Sequence, residues 1–372
     1  MSRLPVIGTP PVALSCDTDV DPRLRVDDPV PLAARGTRGV PGWLADRQGR
    51  QLSYLRLSVT DRCDLRCRYC MPPEGVPPSA KEEVLEFEEA VRLLRLFSTL
   101  GVRTVRLTGG EPLVRKNVTE LVRMLRDDAG IEDLAMTSNA TALRKHARGL
   151  VASGLKRLNV SLDALDPEVF ARMTRGGDVR RVLDGIDAAL EAGIGEVKTN
   201  AVVVRGINDH AIPELVAWAW SKGITPRFIE LMPLGEGAKL GADAIVPVAE
   251  MKARLSSLVR PDDDADYRRD RGPAGYLEAK DGSGRKVGFI GAVTDNFCHR
   301  CNRVRVTARG QIRACLASPE GLDLRAALRS DRSDEAVLHL IEEALFGKRE
   351  GHAFVDPTIT RHHQVHMSQT GG

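Results

Sequence analysis

Several features that commonly reveal a protein's function are missing from this sequence. It has no run of about 18 or more consecutive apolar residues, which counts against a membrane-spanning helix. It has no Gly-x-Gly-x-x-Gly or Walker-type loop, which counts against a dinucleotide-binding fold and a P-loop enzyme. Its N-terminal residues lack the basic start, apolar stretch and small-residue cleavage site of a secretory signal. We therefore expect a cytoplasmic protein with no membrane partner.

Neither sign of charge dominates the chain. Its 372 residues include 54 Lys and Arg against 51 Asp and Glu, so the formal net charge is only +3, and aromatic residues make up just 4%. The basic residues do not cluster as they would on a surface that binds duplex nucleic acid. We expect no nucleic-acid partner, and a small anionic ligand fits this balance better.

Cysteine is unevenly distributed. Six of the seven Cys fall into two tight groups, whereas a disulfide framework would be spread along the chain, so the pattern indicates a reducing compartment. The isolated Cys16 is interpreted as a bystander thiol. The two groups are Cys63, Cys67 and Cys70, and Cys298, Cys301 and Cys315.

The first cysteine group follows the apolar run 54–59, which reads as a buried strand. Its spacing is Cys-x3-Cys-x2-Cys. A cluster of four irons and four sulfides is normally held by four Cys, so three thiolates leave one iron open for a substrate or cofactor. A structural zinc loop is the alternative, although zinc knuckles favour two-residue spacing on both arms and a completed tetrahedron.

Strand and helix patterns alternate between about residues 52 and 231. Candidate strands lie at 53–59, 103–107, 132–137, 156–161, 196–204 and 226–231. Amphipathic helical patterns lie at 83–100, 118–129, 142–153, 178–191 and 209–222. Repeated βα units predict a parallel sheet. Periodicity alone leaves open whether that sheet is doubly wound or curled into a barrel.

Three domains are predicted. Residues 1–45 form a proline-rich N-terminal extension that we expect to be partly disordered. Residues 46–234 form the domain of repeated βα units. Residues 235–372 form a C-terminal domain with the second cysteine group, where 286–294 and 302–313 are typical of short strands.

Distinctive residues follow the candidate strands, at the sheet edge where parallel α/β folds bind ligands. They are the first cysteine group, Gly109-Gly110-Glu111-Pro112, Thr137, Ser161 and Met232. The two glycines would let backbone approach a ligand closely. Together with the Cys-x3-Cys-x2-Cys loop, they make the sequence resemble the radical S-adenosylmethionine (SAM) enzymes. In these enzymes the open iron chelates SAM, and an electron cleaves it to a 5′-deoxyadenosyl radical.

The second group, Cys298-x2-Cys301-x13-Cys315, again offers three thiolates. In an extended run, Cys301, Arg303 and Arg305 share one face, and guanidinium groups suit phosphate oxygens. Arg56, Arg106 and Lys198 would add charge inside a barrel, although charged strand residues more often face solvent. The alternative is a zinc site completed by His299, His339, His362, His363 or His366.

The whole pattern resembles the GTP 3′,8-cyclase family, which begins molybdenum cofactor biosynthesis. The resemblance spans roughly residues 54–372 and includes 55–63, 227–232, the Arg303-x-Arg305 pair and the final Gly371-Gly372. It implies an α/β fold, a partial (β/α)6 TIM-like barrel with a C-terminal α+β layer covering the open side. It also implies two 4Fe-4S clusters and SAM as cofactors.

The resemblance implies a role for each matching residue. The metal ligands are Cys63, Cys67, Cys70, Cys298, Cys301 and Cys315. The SAM contacts are Tyr69, Gly110, Ser161 and Met232. The GTP contacts are Arg56, Arg106, Thr137, Lys198, Arg303, Val304 and Arg305. The catalytic residues are Gly371 and Gly372, although composition alone would predict a disordered tail there.

The reaction implied by the resemblance is hydrogen abstraction from C3′ of GTP, attack of the C3′ radical on C8, and reduction to the 3′,8-cyclised nucleotide. The implied partners are GTP, an electron donor and a downstream cyclic pyranopterin monophosphate synthase, and a homodimer is left open. Two departures from the family pattern are Ala140, where Gly is usual, and Pro233-Leu234, where Asp-Ile or Asp-Val is more common.

Two competing interpretations remain. One is a different radical SAM enzyme with an auxiliary cluster, such as a peptide-modifying enzyme, whose C-terminal domains generally carry more Cys. The other is a non-enzymatic zinc-binding module.

Overall fold

The structure is a computed structural model that describes residues 44–261, 272–318, 321–330, 333–352, 354 and 366–370. Cys16, His362, His363, Gly371 and Gly372 lie outside the described residues, as does almost all of the predicted N-terminal extension. What the sequence predicts for them stays a prediction, and so do the three domain boundaries.

Six parallel strands form the centre of the fold. Each pairs with the next along the chain, and they are β1 (Tyr54–Ser58), β2 (Thr104–Thr108), β3 (Asp133–Ser138), β4 (Arg157–Ser161), β5 (Glu196–Val203) and β6 (Thr225–Glu230). Every one of the six predicted strands is therefore confirmed to within a few residues. The sheet curls without closing, as a partial barrel does.

Helices connect these strands. They are α1 (Phe87–Thr99), α2 (Val118–Asp127), α3 (Leu143–Ala152), α4 (Pro167–Thr174), α5 (Val179–Glu191) and α6 (Ile212–Ser221). The predicted helix at 83–100 begins only at Phe87, because Lys81–Glu83 form a separate 3₁₀ turn. In the described part of the chain, no helix is long and apolar enough to cross a bilayer.

Helix α4 is absent from the sequence prediction. It is only eight residues long, and its first turn is stabilised by the Asp166 carboxylate, which accepts hydrogen bonds from the backbone N–H groups of Glu168 and Val169. So short an element carries little periodic signal. Its Asp-Pro start is nevertheless the usual sequence pattern for the beginning of a helix.

The C-terminal part adds strands to both sides of the barrel. They are β7 (Gly275–Glu278), β8 (Lys286–Ile290), β9 (Arg303–Val306), β10 (Gln311–Arg313) and β11 (Leu322–Asp323). Strand β9 pairs parallel to β1, and β8 pairs parallel to β6. The described strands thus form one sheet in the order β11-β10-β9-β1-β2-β3-β4-β5-β6-β8-β7. Strand β7 had no counterpart in the prediction.

Short helices complete the C-terminal part. They are α7 (Glu236–Lys239), α8 (Val248–Ala253), α9 (Leu324–Arg329), α10 (Asp334–Phe346) and α11 (Met367–Thr370). Helices α9 and α10 lie beside the edge formed by β10 and β11.

The strands of the barrel separate an apolar exterior from a polar interior. Leu55 and Leu57 of β1 are buried in the main hydrophobic core, whereas Tyr54 and Arg56 line the internal cavity. Because successive side chains of a strand point to opposite faces, the same strand contributes apolar residues to the core and polar residues to the cavity. This alternation is what holds charged residues such as Arg106, only 5% exposed, inside the fold.

Two glycines in helices allow the packing of α5 to be tested. A Cβ at Gly185 in α5 would stand 2.3 Å from the Ala140 carbonyl oxygen, whereas one at Gly149 in α3 would stand 3.3 Å from the movable Thr119 side chain. In an open helix, Gly→Ala stabilises by about 1 kcal/mol. We expect Gly149→Ala to be neutral or stabilising, and Gly185→Ala to lower the free energy of unfolding by about 1–3 kcal/mol.

Urea unfolding of the two single variants measures this difference. Equal stabilisation by both substitutions would show that α5 does not approach the Ala140 carbonyl as closely as the structure indicates.

Candidate active site

One cavity at the carboxyl ends of the barrel strands joins the two cysteine groups. All six Cys of these groups line it, and all six are free thiols. Strand β1 leads into the first group, and the second group flanks β9, which pairs with β1. Residues about 240 positions apart in sequence therefore meet because one C-terminal strand joins the barrel sheet.

The first cysteine loop is held by the end of α4. The backbone N–H groups of Arg66 and Arg68 donate to the carbonyls of Thr174 and Met173, at 3.2 and 2.9 Å. The Arg175 guanidinium adds bonds to the carbonyls of Arg66 and Met71, at 3.0 and 2.6 Å. The helix that the sequence prediction missed thus anchors this loop.

The Gly109-Gly110 turn packs directly on the chain that enters the cysteine loop. Gly110 N–H donates to the Thr60 carbonyl at 2.8 Å, and a Cβ at Gly110 would lie 2.3 Å from the Arg62 carbonyl oxygen. The sequence predicts that these glycines let the backbone approach a ligand. Gly110 does line the cavity, but the close approach in the structure is to protein backbone.

Glu111 ties this turn to the end of β3. Its buried carboxylate accepts hydrogen bonds from Leu113 N–H at 3.0 Å, Ser138 Oγ at 2.8 Å and Asn139 N–H at 2.6 Å. Burial raises the pKa of Glu111 to about 7, because desolvation outweighs these three bonds. The carboxylate thus joins its own turn to the end of β3.

Electrostatics differ between the two cysteine groups. Burial raises the pKa of Cys63 and of Cys70 to about 12. Burial acts in the same direction on Cys301, but the positive charges of Arg303 and Lys348 prevail and bring its pKa to about 6. The second group therefore contains a thiol that its surroundings favour as a thiolate.

The donor chemistry of both groups suits iron–sulfur clusters, since each group presents three thiols. Among the described residues, no three His, Cys, Asp or Glu side chains are arranged around a point that could hold a single metal ion. A zinc ion draws thiolates to about 2.3 Å from one centre. In a cluster each thiolate binds a different iron, so more widely separated cysteines fit that group.

Three arginines, two of them buried and the third, Arg56, half-buried, form a row across three strands. Arg305 of β9 is in register with Arg56 of β1, which is in register with Arg106 of β2. Burial, reinforced by the neighbouring guanidinium charges, lowers the pKa of Arg56 and brings that of Arg305 to about 10. Repulsion between like charges is costly inside a barrel, where little water is present to screen it. The row therefore favours an anionic ligand in the cavity.

Most of the predicted ligand contacts meet in this cavity. Those that line it are Tyr69, Gly110, Ser161, Met232, Arg56, Arg106, Thr137, Arg303 and Arg305. The Tyr69 hydroxyl donates to Asp163 Oδ2 at 3.0 Å, and Arg106 Nη1 lies 3.4 Å from Thr137 Oγ1.

Two predicted GTP contacts lie elsewhere. The Val304 side chain is fully buried in the apolar core, on the opposite face of β9 from its neighbours, so only its backbone is available to a ligand. Lys198 is 7% exposed and does not line the cavity, and its ammonium pairs with Glu196 at 3.0 Å.

Arg227 is a cavity residue that we did not select from the sequence. It lies in register with Asn200 of β5, whose side-chain oxygen accepts from Arg227 Nε at 2.9 Å. On its other side it is in register with Gly288, where a Cβ would stand 2.7 Å from Arg227 Cγ. Gly288 lies on a different strand and about 60 positions later in the chain, so no local sequence pattern indicated that Arg227 faces the cavity.

The final described residues reach the first cysteine group. Met367 lines the cavity, and the backbone N–H of Ser368 donates to the Cys70 thiol. Ser368 and Thr370 are each 1% exposed. The chain immediately before Gly371 is thus buried against the site.

The two departures from the family pattern are accommodated locally. Ala140 adopts φ of 61°, in the left-handed region, which costs a residue with a Cβ roughly 1 kcal/mol. Leu234 packs in a small apolar cluster with Leu316 and Phe354. Ala140, Pro233 and Leu234 do not line the cavity, whereas Ser138, which stands where a second Thr is usual in the family pattern, does.

Two family models match the chain. One is described as the radical SAM superfamily and matches residues 57–219. The other is described as Molybdenum Cofactor Synthesis C and matches residues 224–354. The second match includes all three cysteines of the second group.

Three similar proteins share the name GTP 3′,8-cyclase. GTP 3′,8-cyclase of Rhizobium etli is 45% identical over 88% of this chain and 94% of its own length. The enzyme of the same name from Rhizobium meliloti is 46% identical, with the same coverage of both chains. The one from Pelotomaculum thermopropionicum is 42% identical over 88% of this chain and its entire length.

Solved structures with a similar fold are more distant in sequence. Streptococcus suis SuiB bound to S-adenosylmethionine has a TM-score of 0.56 and 18% identity, covering 81% of this chain and 68% of SuiB. SuiB bound to its precursor peptide SuiA has a TM-score of 0.57 and 17% identity, covering 82% and 73%. These similarities concern the fold.

The role of Glu111 gives a stability prediction. In Glu111→Gln an amide N–H would face backbone or hydroxyl donors, so we expect the free energy of unfolding to fall by roughly 1–3 kcal/mol. Glu88→Gln, at an exposed position of α1, should stay within about 0.5 kcal/mol of the parent. Urea unfolding of the metal-free proteins measures both. Equal effects would show that the Glu111 carboxylate does not join its turn to the end of β3.

Proposed function

Because the chain belongs to the GTP 3′,8-cyclase family of radical SAM enzymes, we propose that it converts GTP and SAM to (8S)-3′,8-cyclo-7,8-dihydroguanosine 5′-triphosphate, 5′-deoxyadenosine and methionine. This is the first step of molybdenum cofactor biosynthesis. The observation that carries the proposal is that one cavity contains both cysteine groups and the row of three arginines.

Two 4Fe-4S clusters would supply the electron that cleaves SAM and an open iron for the guanine of GTP. Cys63, Cys67 and Cys70 would hold the first, and Cys298, Cys301 and Cys315 the second. Support for the second comes from its three thiols in the same cavity and from the thiolate character of Cys301.

SAM would bind beside the first cysteine loop. Tyr69, Gly110, Ser161 and Met232 all line the same cavity as this loop. Asp163 fixes the Tyr69 ring through its hydroxyl, so the neighbouring backbone is held in place before SAM arrives. Our proposal assigns these four residues to orienting SAM, and their shared location supports it.

GTP would bind between the arginine row and the second cysteine group. Arg56, Arg106, Arg303 and Arg305 are suited to triphosphate oxygens, because guanidinium groups bind phosphate through paired N–H donors. Thr137 is held within reach of Arg106. Val304 would contribute through its backbone, and Lys198 would first have to leave Glu196.

Gly371 and Gly372 are proposed to act in the cavity, although they lie outside the described residues. The buried position of Ser368 against Cys70 supports this proposal, because it brings the chain to the cavity wall just before the glycines. Residues without side chains could enter a site already occupied by two large ligands.

The proposed reaction also requires partners. SAM cleavage consumes an electron, so we propose a separate electron donor, and the cyclised nucleotide would pass to a cyclic pyranopterin monophosphate synthase. A homodimer stays a prediction. Peptide modification is the competing function, but a row of arginines is better suited to a triphosphate than to a peptide backbone.

The cluster assignment predicts metal content. Anaerobically reconstituted protein should contain about eight irons and eight sulfides, since each group holds one four-iron cluster. Replacing Cys63, Cys67 and Cys70 together with Ala should halve both values and abolish formation of 5′-deoxyadenosine. The matched variant with Ala at Cys298, Cys301 and Cys315 should also lose half the iron yet retain SAM cleavage. The reverse pattern, or zinc without sulfide, would contradict the assignment.

The nucleotide assignment predicts an effect on affinity. A charge-assisted bond contributes about 1.5–3 kcal/mol, so Arg305→Ala should weaken GTP binding roughly ten- to hundredfold without changing SAM affinity. The control is Arg309→Ala, because exposed Arg309 pairs with Glu83 outside the cavity. Isothermal titration of the loaded proteins measures both affinities. Unchanged GTP affinity in Arg305→Ala would argue against this binding mode.

A further inference from the structure

A buried lysine contacts the second cysteine group. Lys348 follows α10, is only 4% exposed, and its ammonium lies 3.8 Å from the Cys301 sulfur. It also donates to the carbonyls of Arg303 at 2.9 Å and Ala314 at 2.5 Å. An ammonium has three N–H donors, and here each has one acceptor. The side chain therefore has a fixed position.

The acceptors of Lys348 lie beside two of the three cysteines. Arg303 is two residues after Cys301, and Ala314 immediately precedes Cys315. One ammonium thus joins the start of β9 to the end of β10, the two strands that bring Cys301 and Cys315 together. Removing it would leave two carbonyls and a buried sulfur without this donor.

The third cysteine is held by the same stretch of chain. The Arg50 guanidinium donates to the Cys298 carbonyl at 2.7 Å and to the carbonyls of Arg349 at 2.7 Å and Glu350 at 3.0 Å. The backbone N–H of His352 donates to the Cys298 thiol. Residues 348–352 therefore contact the surroundings of all three cysteines, but only Lys348 brings a side-chain charge to a sulfur.

We propose that Lys348 is a positioning residue for the second cluster: its ammonium holds the Cys301 sulfur and raises the reduction potential of the cluster bound there. This rests on the proposed function, because it presupposes that second cluster. Hydrogen bonds to sulfur and nearby positive charge favour the more negative, reduced form of a cluster. Lys348 supplies both, and no family match or relative's name assigns it a role.

The test isolates the second cluster by using the full-length protein with Ala at Cys63, Cys67 and Cys70. Its midpoint potential is measured by redox titration followed by electron paramagnetic resonance. Lys348→Met should shift the potential negative by about 59 mV, which is a tenfold change in the one-electron equilibrium. Lys348→Arg keeps the charge with a different donor geometry, so it should recover most of that shift.

Arg50→Lys is the matched structural control. Arg50 binds three carbonyls of the same region without a hydrogen bond to sulfur, and Lys keeps the charge but not the geometry of these bonds, so the variant should reduce iron loading and the thermal midpoint but leave the potential nearly unchanged. If Lys348→Met does not fold, Lys348→Arg and Lys348→Gln are compared instead, and Gln should lie at the more negative potential.

Two results would overturn the inference in distinguishable ways. The protein with Ala at Cys63, Cys67 and Cys70 is the background for these variants. If it binds four irons but the Lys348 variants have the same midpoint potential as this background, Lys348 is only a structural link and the proposed function stands. If the background protein binds no cluster at Cys298, Cys301 and Cys315, the proposed second cluster fails and the inference fails with it.

Discussion

Positive charge buried inside the barrel is the constraint on which the rest of the structure depends. Arg305, Arg56 and Arg106 stand in register on neighbouring strands, and burial together with repulsion from nearby guanidinium groups disfavours the charged forms of Arg305 and Arg56. A fold that keeps guanidinium groups there must neutralise them, and thiolates together with an anionic substrate can do so. The site is therefore best described as a cationic cavity that both cysteine groups line.

The pairing of β9 with β1 produces this arrangement. It places Arg303 beside Tyr54 and Arg305 beside Arg56, and it carries Cys301 to the cavity. The same pairing makes the C-terminal part an extension of the barrel sheet. The second cysteine group and the arginine row consequently depend on each other, because any shift in the register of β9 would move both. A slip of one residue would turn Arg305 into the apolar core.

Local sequence patterns predicted much of this architecture. The six barrel strands, the cysteine spacing and the Gly109-Gly110 pair that follows β2 are all properties of short segments. Helix α4 escaped prediction because eight residues carry little periodicity, although its end anchors the first cysteine loop. Contacts between segments that are distant in the sequence could not be predicted either. Arg227 beside Gly288, and Lys348 beside Cys301, join residues whose proximity only the folded chain defines.

The central claim is that the radical formed from SAM removes the C3′ hydrogen of a GTP molecule bound in the same cavity. The direct measurement uses GTP deuterated at C3′, incubated anaerobically with SAM, a reductant and the reconstituted protein. Mass spectrometry then determines the isotopic content of 5′-deoxyadenosine. One deuterium transferred to 5′-deoxyadenosine, together with a cyclised nucleotide that has lost it, is the predicted result. Unlabelled 5′-deoxyadenosine with GTP that retains all its deuterium would contradict the proposal that GTP is the substrate.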